Sequence, residues 1–176
     1  MKKLLIVAPH LSTGGMPQYL LKIAEDKFSD YEIHVAEFKC LSEEYVVQRN
    51  QIKEKYKLIS FNGNENQLRA YVRQFRPDTI YFQEIPEHFL SEELVNSLYD
   101  FFETIVTTHS SLSTTGSFKL CPDKIIAVNE WQKKNLSVCL DTEVWEYPIE
   151  NKAAVYNAKS EYQSNLGFIV AKKHIL

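Results

Sequence analysis

The chain has 176 residues, of which 44% are hydrophobic and 24% charged, a balance that suits one sizeable core and excludes a disordered or fibrous polymer. Its 20 Lys+Arg against 23 Asp+Glu leave a formal net charge of -3, so no basic field recommends nucleic acid or an anionic membrane as the main partner. Cys40, Cys121 and Cys139 are odd in number and far apart, which argues against a disulfide framework or a zinc site and for a reducing cytoplasm.

The opening, MKKLLIVAPH, joins two lysines to an apolar run, but the run is too short for a signal peptide and meets a polar, Gly-containing loop. Leu4–Ala8 is therefore predicted as a strand buried on both faces of a parallel sheet. Met16, Leu20, Ile23 and Ala24 share one face of a helix that follows. Tyr31–Phe38 reads as a second strand and residues 41–56 as a helix that Ser42 caps. Lys57–Phe61 is a third strand, ended by the turn-forming Asn62-Gly63-Asn64.

Leu68, Tyr71, Val72 and Phe75 fall at i, i+3, i+4 and i+7 of an amphipathic helix, which Pro77 stops by disfavouring helical geometry at Arg76. Thr79–Gln83 is a fourth strand, and Ser91 caps a helix whose apolar face carries Leu94, Val95, Leu98 and Phe101. Thr104–Thr108 and Lys124–Asn129 are the fifth and sixth strands; a helix over 130–136 and a short strand over 143–148 complete the alternation. Repeated strand and helix predicts an α/β fold: a Rossmann-like open parallel sheet with helices on both faces. No run approaches the roughly 20 apolar residues that span a bilayer.

Ligands of such sheets gather at the carboxyl ends of the strands. Gly14 and Gly15, between the first strand and a helix N-terminus, let a ligand approach the backbone and turn free N–H groups toward an anion such as a phosphate. A tight turn needing positive φ is the alternative reading. The pattern is neither G-x-G-x-x-G nor a P-loop, and no acidic residue is expected in position for a ribose.

His109 ends the fifth strand at the mouth of the cleft, where a histidine hydrogen-bonds a sugar hydroxyl or carries a proton; capping a loop is the blander alternative. Glu84 and Glu87 suit hydroxyls or simply a solvated loop. His10 and His88 have no metal-ligand spacing, Ser110, Ser111 and Ser113 have no identifiable base, and no metal site is expected.

The segments LLIVAPHLSTGGMPQYLLKIAED, FRPDTIYFQE, IVTTH, KIIAVNEWQKKNL and VWEYPIE, in that order, resemble the N-terminal half of retaining nucleotide-sugar glycosyltransferases of the GT-B fold, the group 1 or family 4 kind. The resemblance implies one half of a GT-B fold, with Gly14 and Gly15 as the loop facing the donor diphosphate and His109 as the catalytic-site histidine beside the transferred sugar. It also makes Glu84, Ser110, Asn129 and Glu130 candidates for acceptor or sugar contacts. Asn129 departs from the Ser common in the family, and Met16-Pro17 stand where many members have an acidic residue nearby.

The resemblance further implies sugar transfer with retention to an acceptor hydroxyl, with a nucleotide-sugar as co-substrate and no cofactor or obligatory metal. Residues 1–150 would be an acceptor-side domain, inactive alone, and 151–176 a linker and the start of a C-terminal domain that holds most of the donor. A peripheral membrane contact stays open as a route to a lipid-linked acceptor. Two alternatives remain: a non-enzymatic flavodoxin-like module that binds a partner protein, and half of another GT-B enzyme such as a sugar-phosphate epimerase.

Overall fold

A computed structural model describes residues 1–12, 14–40, 47–109, 121–136 and 141–147. Its frame is a sheet of seven strands: β1 (Lys3–Ala8), β2 (Glu32–Glu37), β3 (Lys57–Ser60), β4 (Thr79–Phe82), β5 (Glu103–Thr107), β6 (Lys124–Ala127) and β7 (Thr142–Val144). The strand order is β3-β2-β1-β4-β5-β6-β7, and every pairing is parallel. Chain direction across the sheet therefore reverses between β1 and β4, the place where such sheets open a crevice at their carboxyl ends.

The continuous apolar run of β1 is explained by helices on both of its sides. Leu4, Ile6 and Ala8 pack beneath α1 (Gly15–Lys27), against Leu20, Ile23 and Ala24, and beside Ile52 of α2 (Val47–Lys55). Leu5 and Val7 point the other way, toward Leu68, Val72 and Phe75 of α3 (Glu65–Phe75) and Leu94, Val95 and Leu98 of α4 (Glu92–Phe101). Each of these large side chains contributes about 1.5–3 kcal/mol by leaving water. A fifth helix, α5 (Glu130–Asn135), is followed by Leu136, which packs on Ile125 and Ala127 of β6.

Local signals start and stop the helices much as their chemistry dictates. Asn64 accepts the N–H groups of Asn66 and Gln67 to open α3, and Ser91 Oγ accepts that of Leu94 to open α4. Arg76 closes α3 in the left-handed region, at φ 53° and ψ 66°, and its N–H returns to Val72 O. Pro77 thus excludes the right-handed conformation at Arg76, as expected, and the left-handed one takes its place.

Three expectations change. Phe101, expected on the buried stripe of α4, is 77% exposed. It is the last residue of that helix and lies at the rim of a groove of about 450 Å³ between α3 and α4, with Val72, Leu98 and Phe102. The final strand is shorter than expected, because Trp145 leaves the sheet after one further bond, from its N–H to Ala127 O. A single 3₁₀ turn, Pro86–His88, occupies the segment after β4 that the sequence leaves as loop. The proposed cap Ser42, the loop residue Ser110 and the segment 151–176 lie outside the described residues.

Candidate functional site

The carboxyl ends of β1, β4 and β5 converge on a cavity of about 410 Å³. Its walls come from Pro9 and His10 after β1, from Gly14 and Gly15 at the start of α1, from Glu84 after β4, and from His109 two residues past β5. Four of the candidate residues separated by up to 95 positions in sequence thus meet at one point, the reversal of strand order. Asn129 and Glu130 do not line this cavity. Asn129 caps α5 through Gln132 N–H at 2.7 Å, and Glu130 is exposed in the first turn of that helix.

The glycine pair is the informative part of the wall. Gly14 is extended, with φ 160° and ψ -171°, a conformation open to any residue. A Cβ on Gly14 would meet nothing within 4 Å, and one on Gly15 would make only ordinary contact with Tyr147 Oη, at 3.6 Å. The tight-turn explanation therefore fails at both positions, since neither backbone strain nor packing demands glycine. Gly14, at the N-cap position of α1, brings no side chain to cap that terminus, no acidic residue sits in its first turn, and Pro17 has no N–H to satisfy. The positive end of this helix of 13 residues borders the cavity, with Gly14, Gly15, Met16 and Pro17 in its wall.

The loop carrying the glycines is held from beneath. Glu37, the last residue of β2, is fully buried and accepts Leu11 N–H at 2.9 Å and Arg49 Nε at 2.9 Å. An acidic residue at the end of the second strand is where a ribose is bound in dinucleotide sheets. Both Glu37 oxygens are nevertheless engaged, one by the loop and one by α2, which makes the residue a brace for the glycine loop.

His109 is half-buried beneath aromatic rings. Its ring meets that of Tyr19 edge to face, with centroids 5.0 Å apart, and Nδ1 lies 2.6 Å from Tyr147 Oη. Burial lowers its pKa to about 4, although the Glu84 carboxylate opposes the shift, so the imidazole is neutral at pH 7. Its Nε2 is buried and has no hydrogen-bond partner among the described residues. Burial and the Glu84 charge raise the pKa of Tyr147, which keeps that phenol protonated.

Two further groups escape sequence reading. Tyr19, fully buried on α1, donates to Trp145 O at 2.9 Å and so ties the chain after β7 to the top of that helix. Tyr147 rests on Tyr19, with ring centroids 4.8 Å apart. A tyrosine three residues beyond a short strand carries no signal of its own; only the fold brings it back over Gly15.

No protein-family model matches the chain, and a comparison with curated proteins finds no match. Among solved structures, the chain is similar to sucrose-phosphate synthase from Thermosynechococcus elongatus, with TM-score 0.51 and 11% identity, over 95% of this chain and 100% of that one. At that identity the likeness is one of fold. The seven-stranded parallel sheet with helices on both faces is Rossmann-like and matches one half of a GT-B fold.

Proposed function

We propose that this chain is the acceptor-side, N-terminal half of a retaining glycosyltransferase that moves a sugar from a nucleotide-sugar to an acceptor hydroxyl. The observation that carries the reading is a glycine pair that neither φ nor packing requires, lining one cavity with His109 at the reversal of strand order. The similarity to sucrose-phosphate synthase supports it at the level of fold.

In this reading the diphosphate of the donor lies at the N-terminus of α1. The N–H groups and dipole there stabilise the charge that develops as the sugar leaves, by an arrangement already in place before reaction. The sugar lies deeper, between His109 and Glu84. Glu84 is an acceptor for a sugar hydroxyl and repels the diphosphate, which fixes the donor's direction in the cavity. His109, being neutral, supplies a hydrogen bond rather than a charge.

Positive charge for the leaving group therefore comes from a second Rossmann-like domain, to which residues 151–176 lead, and the half described here is inactive alone. Asn129 and Glu130, at the start of α5, are assigned to the acceptor, as is Ser110, which lies outside the described residues. The reading requires no metal and puts the reaction in the cytoplasm.

The test is transfer by the full-length gene product from a panel of nucleotide-sugars. Gly14→Val and His109→Ala are each expected to lower turnover by about a hundredfold, the scale of a misplaced reacting group. Unchanged turnover in both variants would overturn the site.

A further inference from the structure

We infer that Tyr147 holds His109 as the tautomer protonated on Nε2, so that the histidine presents an N–H to the cavity and its ligand offers an acceptor oxygen there. This deepens the proposed site and rests on it for the identity of the ligand. The tautomer itself follows from the geometry around the two rings.

Tyr147 is brought to His109 by a chain of contacts that starts in the sheet. After Val144 the backbone makes one more bond, from Trp145 N–H to Ala127 O, and the Trp145 carbonyl then accepts the hydroxyl of Tyr19. Tyr19 in turn packs against both the Tyr147 and the His109 rings. Gly15 lies beside the phenol, whose Oη is 3.6 Å from where a Cβ would stand, an ordinary contact. So placed, Oη is 2.6 Å from His109 Nδ1.

One of these two atoms must donate. A phenol is a far stronger acid than a neutral imidazole N–H, and an imidazole nitrogen is a far stronger base than a phenol oxygen. The favoured bond therefore runs from Tyr147 O–H to Nδ1, and the single proton of the neutral ring goes to Nε2. Burial agrees with a neutral ring and a protonated phenol. Nε2 is then a buried donor with no partner among the described residues. Leaving such a donor unpaired is unfavourable, and an acceptor oxygen of a bound ligand relieves that penalty. A hydroxyl or phosphate oxygen fits this atom; an ammonium group, which has no lone pair, does not. Tyr147 is in this sense a positioning residue that acts through His109.

The experiment is long-range ¹H–¹⁵N correlation spectroscopy of the ligand-free, full-length protein labelled at histidine, at neutral pH. His109→Gln identifies the resonance of interest. The expected pattern is a protonated Nε2 with a bare Nδ1 in the native protein, and a shift toward a mixture of tautomers in Tyr147→Phe, which keeps the ring packing. A native Nδ1–H tautomer would overturn the inference, as would a Tyr147→Phe spectrum unchanged from the native one. No ligand enters the measurement, so failure of the glycosyltransferase reading and failure of the tautomer assignment are distinguishable.

Discussion

At the scale of single residues, glycine and histidine were legible in the sequence and tyrosine was not. Gly14 and Gly15 stood out because a pair of glycines before a helix has few uses, and the structure removes the conformational one. A direct consequence is that Gly14→Val costs the fold about 1 kcal/mol or less, the scale of a lost helix cap, while donor binding is strongly weakened. Thermal unfolding and ligand titration of the same variant check both halves. Tyr147 was invisible because its partner His109 is 38 residues away and no local pattern joins them.

Acid sensitivity belongs to this scale as well. Native His109 takes its proton near pH 4, whereas the unfolded side chain takes it near 6.5. Between those values the unfolded state binds more protons, so stability falls as pH is lowered through that window. The loss attributable to His109 is on the order of 2–3 kcal/mol. His34, stacked on Phe75 and lowered by burial and by Lys57, acts in the same direction. Chemical denaturation at pH 7 and pH 4.5 is expected to show a smaller acid loss in His109→Gln than in the native protein.

At the scale of elements, periodicity and capping residues located nearly every strand and helix, because those signals are local. Their reach was the part that misled. The stripe Leu94, Val95, Leu98 and Phe101 does share a helical face, but Phe101 ends α4 and nothing among the described residues covers it. Spacing says which side chains point together, not where the neighbouring element stops. Phe101→Ser should accordingly change stability by less than about 0.5 kcal/mol, whereas Leu98→Ala, in the core, should cost about 2–5 kcal/mol.

The brace under the glycine loop is an element-scale device too. It joins β2, α2 and the loop after β1 through the Glu37 carboxylate, which is 1% exposed. Arg49→Met leaves that carboxylate buried without its cation and is expected to cost about 3–5 kcal/mol in urea unfolding. Glu37 was overlooked in the sequence because an acidic residue at a strand end looks solvated until the helix that covers it is known.

At the scale of the molecule, alternation of strand and helix was enough to predict the sheet, since right-handed crossovers leave few ways to arrange it. Strand order was the decisive addition. It sets the reversal between β1 and β4, and with it the meeting of Gly14, Glu84 and His109 at one cavity. The proposed chemistry follows from that meeting: a glycine-lined helix N-terminus for a diphosphate, and a neutral histidine and a carboxylate for a sugar.

The most direct test is an assay of the full-length gene product with a panel of nucleotide-sugars, in which the anomeric configuration of any product is read by NMR. The account predicts transfer with retained configuration that Gly14→Val lowers about a hundredfold without unfolding the protein. No turnover of any nucleotide-sugar, or turnover indifferent to Gly14→Val, would contradict it.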